Sequence, residues 1–142
     1  MTDTKPLPDT QNALTRPFWE GLRNEELKVQ RCDSCLVIRY PPAPICPECL
    51  QPAGTWIAIT SEGALWSYVI YHRALTPSFA DSVPYAVGVV ELEKHIHILA
   101  RIEAPLNGLR IGMSMRAKFD HVTDEVTLLR WIPATEGTPD LV

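Results

Sequence analysis

Four cysteines carry the clearest chemistry in this chain. They stand as Cys32-Asp33-Ser34-Cys35 and, after a gap of ten residues, Cys46-Pro47-Glu48-Cys49. Two residues between paired cysteines let both sulfurs reach one ion from a single turn, whose backbone N–H groups point at the thiolates. Two such knuckles close a tetrahedron of sulfur, the geometry of structural Zn2+. Four thiolates leave no position open for water, so the expected metal holds the chain together and does no chemistry.

Iron takes the same ligand set and is the competing occupant. The knuckles of iron proteins of that type usually carry glycine after the second cysteine. This chain has Leu36 and Leu50 there, which favours zinc. Because these four are all of the cysteines, no thiol remains as a nucleophile. No serine occupies a Gly-x-Ser-x-Gly elbow, and no Gly-rich loop opens a helix to cradle phosphate. No catalytic residue is expected in this chain.

The elements that must position the cysteines follow from patterning. Residues 1–14 are polar and proline-bearing and read as a flexible tail. Thr15 is placed to cap a short helix with Pro17 in its first turn, and Phe18, Trp19 and Leu22 share one face of it. Leu27-Lys28-Val29-Gln30-Arg31 alternates apolar and polar, as a strand leading into the cysteine module does. From about residue 55 the pattern is all-β, with strands expected near 55–60, 64–72, 84–92, 95–103, 113–121 and 126–132.

In the segment 95–103, Ile96, Ile98, Ala100 and Ile102 fall on one face, with Leu99 the apolar exception on the other. Glu93-Lys94 and Asp124-Glu125 read as tight hairpin turns, and Gly88 as a bulge or sharp bend. Five or six strands within about 80 residues, with no helical period between them, point to a small closed barrel. The fold class is thus mainly β: a short N-terminal helix and a rubredoxin-like zinc ribbon over 15–52, then an OB-fold barrel of five to six strands over 53–133. A C-terminal tail is expected at 134–142.

Bulk properties agree. The chain has 142 residues, 46% apolar and 21% charged, in the range of a soluble globular protein whose modest core benefits from a metal staple. Thirteen prolines gather in the N-terminal tail, around the cysteines and near the C-terminus. Thirteen basic residues against 17 acidic ones leave a net charge of −4, which disfavours a general polyanion binder. No apolar run approaches the roughly 20 residues that span a bilayer. Met1-Thr2-Asp3-Thr4-Lys5 lacks the build of a signal peptide. The expected compartment is the cytoplasm, where close cysteine pairs hold metal rather than form disulfides.

The order of motifs is itself informative. Arg16-Pro17-Phe18-Trp19-Glu20-Gly21-Leu22 precedes the knuckles, with Tyr40-Pro41-Pro42 between them. Gly63-Ala64-Leu65-Trp66-Ser67-Tyr68, His72-Arg73, Phe79-Ala80-Asp81, Val83-Pro84-Tyr85 and Leu109-Arg110-Ile111-Gly112-Met113 follow. Over about residues 15–133 the chain resembles the family of acyl-CoA-associated OB-fold proteins with an N-terminal rubredoxin-like zinc ribbon. The resemblance implies an accessory role beside a thiolase-superfamily enzyme that makes or breaks C–C bonds on acyl-CoA. The partner then supplies the catalytic residues, while the small chain supports it and lines the acyl-CoA channel.

On that implication, Arg73 is a candidate to pair with a CoA phosphate and Phe79 to stack on adenine or pantetheine, with His72 beside them. The bland reading of the same residues is a surface cation and a loop-anchoring aromatic. His95 and His97, two apart on a strand face, have metal-compatible spacing but no third ligand, and are expected to be an exposed polar face. Phe18, Trp19 and Leu22 are expected both to cover the ribbon and to meet a partner. Rival functions are a single-stranded nucleic-acid binder, an iron-based electron carrier and a free-standing acyl-CoA binder or enzyme.

Overall fold

A computed structural model describes residues 5–134. The first four residues of the expected N-terminal tail, and the expected C-terminal tail from 135 on, lie outside the described residues. The chain begins its regular structure with helix α1 (Arg16–Arg23), followed by strands β1 (Leu27–Cys32), β2 (Ile38–Arg39) and β3 (Gly54–Ile59). These three pair in the order β2-β1-β3. Strands β4 (Glu62–Tyr71), β5 (Tyr85–Glu91), β6 (His97–Ile102), β7 (Ser114–His121) and β8 (Thr127–Pro133) close a barrel in the order β4-β5-β6-β8-β7. All barrel pairings are antiparallel except β6 with β8, where Ile102 faces Trp131. This is a five-stranded OB-type barrel.

The strand expected at 55–60 is β3, and it belongs to the other sheet. All six of its residues pair with β1, from Leu27 opposite Ile59 to Cys32 opposite Gly54. The barrel interior is built by period-two alternation: Ala86 and Val90 from β5, Ile98 and Ile102 from β6, Met115 and Ala117 from β7, Leu129 and Trp131 from β8. Trp131 is fully buried, and its indole N–H donates to the Ile98 carbonyl at 3.1 Å, so its one polar atom is satisfied. Phe18, Leu22, Leu27 and Val29 join the same apolar core, which fuses helix and ribbon to barrel.

Several local expectations change. Thr15 makes no side-chain cap. Its carbonyl instead accepts from Phe18 N–H (2.9 Å) and Trp19 N–H (3.3 Å). Phe18 and Leu22 are buried and Trp19 is half-exposed, so this face covers the core. The turn between β5 and β6 is longer than two residues: Glu93–His95 form a 3-10 turn, with Lys94 and His95 both at positive φ. His95 therefore lies outside the strand. The β7–β8 turn spans 122–126 and is held by the Thr123 hydroxyl, which accepts from the N–H groups of Glu125 and Val126.

The bulge lies in β4, between Leu65 and Ser67, and not at Gly88. It extrudes Trp66, which is 54% exposed and stacks on His97 with ring centroids 4.2 Å apart. Gly88 answers a demand for space. A Cβ there would stand 2.6 Å from Ile102 Cδ1 and 2.9 Å from Leu65 Cδ1, inside the barrel. Gly88→Ala should therefore destabilise by about 1–3 kcal/mol through overpacking. Gly108→Ala, whose Cβ would meet nothing within 4 Å, should be close to neutral. Urea denaturation of the two variants checks this; equal midpoints would show that the barrel absorbs the methyl group.

Candidate metal centre and adjoining cleft

The knuckles are placed by the ribbon's own hydrogen bonds. Strand β1 delivers Cys32 at its end, and the Cys32 N–H donates to the Val37 carbonyl as the chain turns back into β2. Gln30 and Arg39 form a buried polar pair, with Arg39 Nε donating to Gln30 Oε1 at 2.9 Å. The same Gln30 oxygen accepts from Ala43 N–H, and Arg39 Nη2 donates to the Ala43 carbonyl, which pins the segment leading to Cys46. The Thr55 hydroxyl donates to Asp33 Oδ1 at 2.6 Å, tying the first knuckle to β3.

All four sulfurs lie within 4.8 Å of one another. Cys32 and Cys49 Sγ are 3.5 Å apart, and Cys35 and Cys46 Sγ are 3.7 Å apart. A tetrahedron with Zn–S bonds of about 2.3 Å places its sulfurs about 3.8 Å apart, so the donor set fits a Zn2+ ion. Cys32 and Cys46 are buried while Cys35 is exposed. The N–H groups of Ser34 and Cys35 point at Cys32 Sγ, and that of Glu48 at Cys46 Sγ, each at 3.4 Å. The turn in each knuckle closes through Leu36 N–H to the Cys32 carbonyl and Leu50 N–H to the Cys46 carbonyl. Leu36 and Leu50 hold φ of 68° and 66°, a left-handed backbone that favours glycine. The chain thus keeps the glycine-type knuckle turn with leucine in it.

Electrostatics divides the four thiols. The Cys35 N–H, working against burial and helped by the Ser34 N–H and neighbouring sulfurs, draws Cys32 down to about 6. Cys46 is likewise lowered, chiefly by the Cys49 N–H. The Val37 N–H draws Cys35 down, but burial and three neighbouring sulfurs outweigh it and push it up to about 12. Cys49 also rises, because burial and the Cys32 sulfur outweigh the Gln51 N–H. Cys32 and Cys46 thus lose their protons more readily than ordinary thiols, and Cys35 and Cys49 less readily.

The remaining candidate residues separate in space. His95 Nδ1 and His97 Nε2 both contact Glu91 Oε2, at 2.9 and 3.3 Å, and hold that carboxyl below its usual value. They form a polar cluster on one carboxylate. His72 and Arg73 are exposed just beyond the end of β4. Phe79, in a 3-10 turn at Pro77–Phe79, lines a cleft of about 580 Å3 on the outer face of the barrel. His72 and Arg73 do not line that cleft; its cations are Lys5, Arg101 and Arg130. Phe79 stacks on Tyr85 at 5.8 Å between centroids, and Tyr85 on Tyr71 at 5.2 Å. Sequence reasoning missed Lys5, Tyr85, Arg101 and Arg130, which come from four separate segments.

Fold and site together define a tetrathiolate zinc ribbon joined to an OB barrel. Comparison with known proteins agrees domain by domain. Residues 19–53 match the model of the ChsH2 rubredoxin-like zinc ribbon domain, and residues 56–120 match that of the ChsH2 C-terminal OB-fold domain. The chain belongs to this family of OB-fold proteins with an N-terminal zinc ribbon. The metal of the ribbon is accordingly a structural zinc.

Among its relatives is a probable enoyl-CoA hydratase alpha subunit of Thermomonospora curvata, 31% identical over 82% of this chain and 37% of that protein. Another is the 3-oxo-4,17-pregnadiene-20-carboxyl-CoA hydratase alpha subunit of Mycobacterium tuberculosis, 30% identical over 86% of this chain and 41% of that protein. The chain thus spans about two-fifths of the length of these two relatives. A DUF35 domain-containing scaffold protein of Methanocaldococcus jannaschii is 27% identical over 67% of this chain and 68% of its own. Among solved structures, a chain of the Ltp2-ChsH2(DUF35) aldolase superposes with a TM-score of 0.80 at 26% identity, covering 89% of this chain and 99% of that one.

Two outcomes test the metal centre. Cys46→Ser removes a buried ligand, and because zinc binding in such modules contributes on the order of 10 kcal/mol of folding free energy, it should unfold residues 26–50. Limited proteolysis should then cut within that stretch; an unchanged pattern refutes the reading. Zinc uptake by the metal-free protein should release protons, chiefly from Cys35 and Cys49, whose thiols are held above their ordinary value. Metal affinity must then fall as pH is lowered, because protons compete for the same sulfurs. A pH indicator in weakly buffered solution reads the stoichiometry.

Proposed function

We propose that this chain is a non-catalytic accessory subunit of an enzyme that acts on acyl-CoA. The observation that carries the reading is the likeness, along 99% of its length, of a chain in an aldolase assembly. Relatives named as CoA hydratase alpha subunits and as a scaffold protein support the same role. The chemistry of the chain supports it too. Its thiols are committed to a closed metal site, and what remains is surface for binding: an aromatic and cationic cleft on a rigid barrel.

The finer reading is a thiolase-superfamily partner, with C–C bond cleavage or formation on the CoA thioester and this chain lining the channel. An aldolase breaks or makes a C–C bond, which favours it. The loop from His72 to Pro84 is the proposed edge facing the shared acyl-CoA, with His72 and Arg73 exposed to reach a phosphate and Phe79 behind them in the cleft. The hydratase names favour a second reading, in which the partner adds water across a C=C bond of the acyl chain. Paired reduced thiols fit the cytoplasm in either case. No helix among the described residues is long and apolar enough to cross a membrane.

Co-expression with a thiolase-like subunit from the same organism should yield one complex on size exclusion, with the partner's solubility or activity raised. Separate elution with neither property changed would sink the accessory reading. Product analysis of the complex, cleaved chain against hydrated chain, separates the two partner classes.

A further inference from the structure

We propose that the outer edge of β3 is a self-association surface, where a second copy of this chain adds its own β3 antiparallel across a two-fold axis at Trp56. This goes beyond the acyl-CoA reading above and does not rest on it. The backbone register carries it. In β1 the Cys32 N–H donates to the Val37 carbonyl and Gln30 stands opposite Arg39, so the even-numbered residues bond toward β2. The odd-numbered ones bond toward β3. Leu27, Val29 and Arg31 stand opposite Ile59, Ile57 and Thr55, and the Asp33 N–H donates to the Ala53 carbonyl. The backbone groups of Gly54, Trp56 and Ala58 therefore point away from β1. Among the described residues, none of these three N–H and three C=O groups has a hydrogen-bond partner. Neighbouring polar side chains are engaged elsewhere, Thr55 on Asp33 and Arg39 on Gln30 and Ala43. The next donor in the row, Thr60 N–H, is taken by the Glu93 carboxylate at 2.6 Å, which ends the open stretch.

The edge carries none of the usual guards. Proteins blunt an exposed strand edge with lysine, proline, a bulge or a very short strand. On the opposite side of the same sheet, β2 is two residues long and runs on through Tyr40 into Pro41 and Pro42. The barrel closes on itself and has no edge. By contrast β3 reads Gly54-Thr55-Trp56-Ile57-Ala58-Ile59, six residues without charge or proline in unbroken register with β1. Gly54, Thr55 and Ala58 are exposed along it. A row of alternating donors and acceptors of this kind is complemented by another extended backbone.

A second copy fits without remainder. With the axis at Trp56, Gly54 stands opposite Ala58 of the second copy, Trp56 opposite Trp56, and Ala58 opposite Gly54. Each facing pair exchanges two hydrogen bonds, so every open group of both strands is used. The two indoles then meet on one side of the sheet and Ile57 meets Thr55 on the other, contacts that favour cross-strand pairing. Because the edge is uncharged, two chains of net charge −4 meet here without like charges in opposition. The product is one continuous sheet in the order β2-β1-β3-β3-β1-β2. A ladder this short is smaller than a standard protein interface, so the association should be reversible and follow concentration.

Sedimentation velocity of the zinc-loaded full chain over a dilution series tests this, together with amide hydrogen exchange read residue by residue. Monomer should give way to dimer as concentration rises. The N–H groups of Gly54, Trp56 and Ala58 should gain protection in step, while those of Thr55 and Ile57, bonded to β1 in either state, stay protected throughout. Ala58→Lys puts a charge on the edge, and Ala58→Pro removes one outward donor without touching the bonds to β1. Each should raise the dimer dissociation constant about tenfold or more. Ser67→Lys, the same charge at an exposed barrel position, should leave it unchanged. Thermal melting and zinc content confirm that each variant folds; if Ala58→Pro does not, Ala58→Lys carries the test. A chain that stays monomeric at every concentration overturns the assignment. So does a dimer that the folded Ala58 variants form as readily as the wild type, or edge amides protected equally at all dilutions. Protection that appears only on mixing with a thiolase-like subunit also overturns it, and gives the edge to a strand of the partner enzyme.

Discussion

Four sulfurs drawn within 4.8 Å of one another hold together two knuckle tips that have little buried surface of their own. The knuckle tips bury only Cys32 and Cys46, while Leu36 and Leu50 stand 62% and 71% exposed with left-handed backbones. Such a backbone costs a leucine on the order of 1 kcal/mol or more at each site. Side chains this exposed offset little of that cost by burial, which leaves it to the metal–sulfur bonds. The constraint then propagates. Once Cys32 is fixed, β1 is fixed from its end, and β1 is the strand on which both β2 and β3 pair.

Strand β1 also joins the two halves. Leu27 and Val29 point into the same core as Leu65, Ile98 and Trp131, and α1 closes over that junction with Phe18 and Leu22. Polar contacts reinforce it at the rim. His121 at the end of β7 bonds Glu25 with one ring nitrogen and Thr127 with the other, and Thr60 N–H donates to Glu93 at 2.6 Å. Loss of the metal is therefore felt at a shared core and not only at the knuckles. The barrel needs no metal of its own, because a closed ring of strands leaves no unpaired edge.

What could be read in the sequence was what is local. The cysteine spacing is a property of two four-residue segments, and Ile98 and Ile102 announce their inward face by alternation alone. The same logic failed where a residue's reason lay elsewhere in the chain. Gly88 suggested a bulge, but it is small because Ile102 and Leu65 fill the space above it, while the bulge fell at Trp66, a residue with no such signal. Lys94 and His95 take positive φ without being glycine or asparagine, so the β5–β6 connection runs over 92–96 where a two-residue turn was expected. Gln30 and Arg39 form a buried pair only because β2 returns beside β1. The cleft was the least legible feature. Only Phe79 of its lining was noticed, since the barrel must close before Lys5, Tyr85, Arg101 and Arg130 become neighbours.

The separation of metal from cleft bears on what kind of protein this is. A catalytic zinc needs an open coordination position facing a pocket, and here a closed thiolate site sits in the ribbon while the cleft is bounded by barrel strands, two loops and the segment Lys5–Leu7. The ion cannot polarise anything bound in the cleft. The cleft in turn is lined, among the described residues, by cations and rings, and its carboxylate, Asp120, is paired with Arg130. Rigidity therefore matters more here than reactivity. The zinc supplies it to the ribbon, the closed barrel supplies it to the cleft, and the shared core between them keeps one in register with the other.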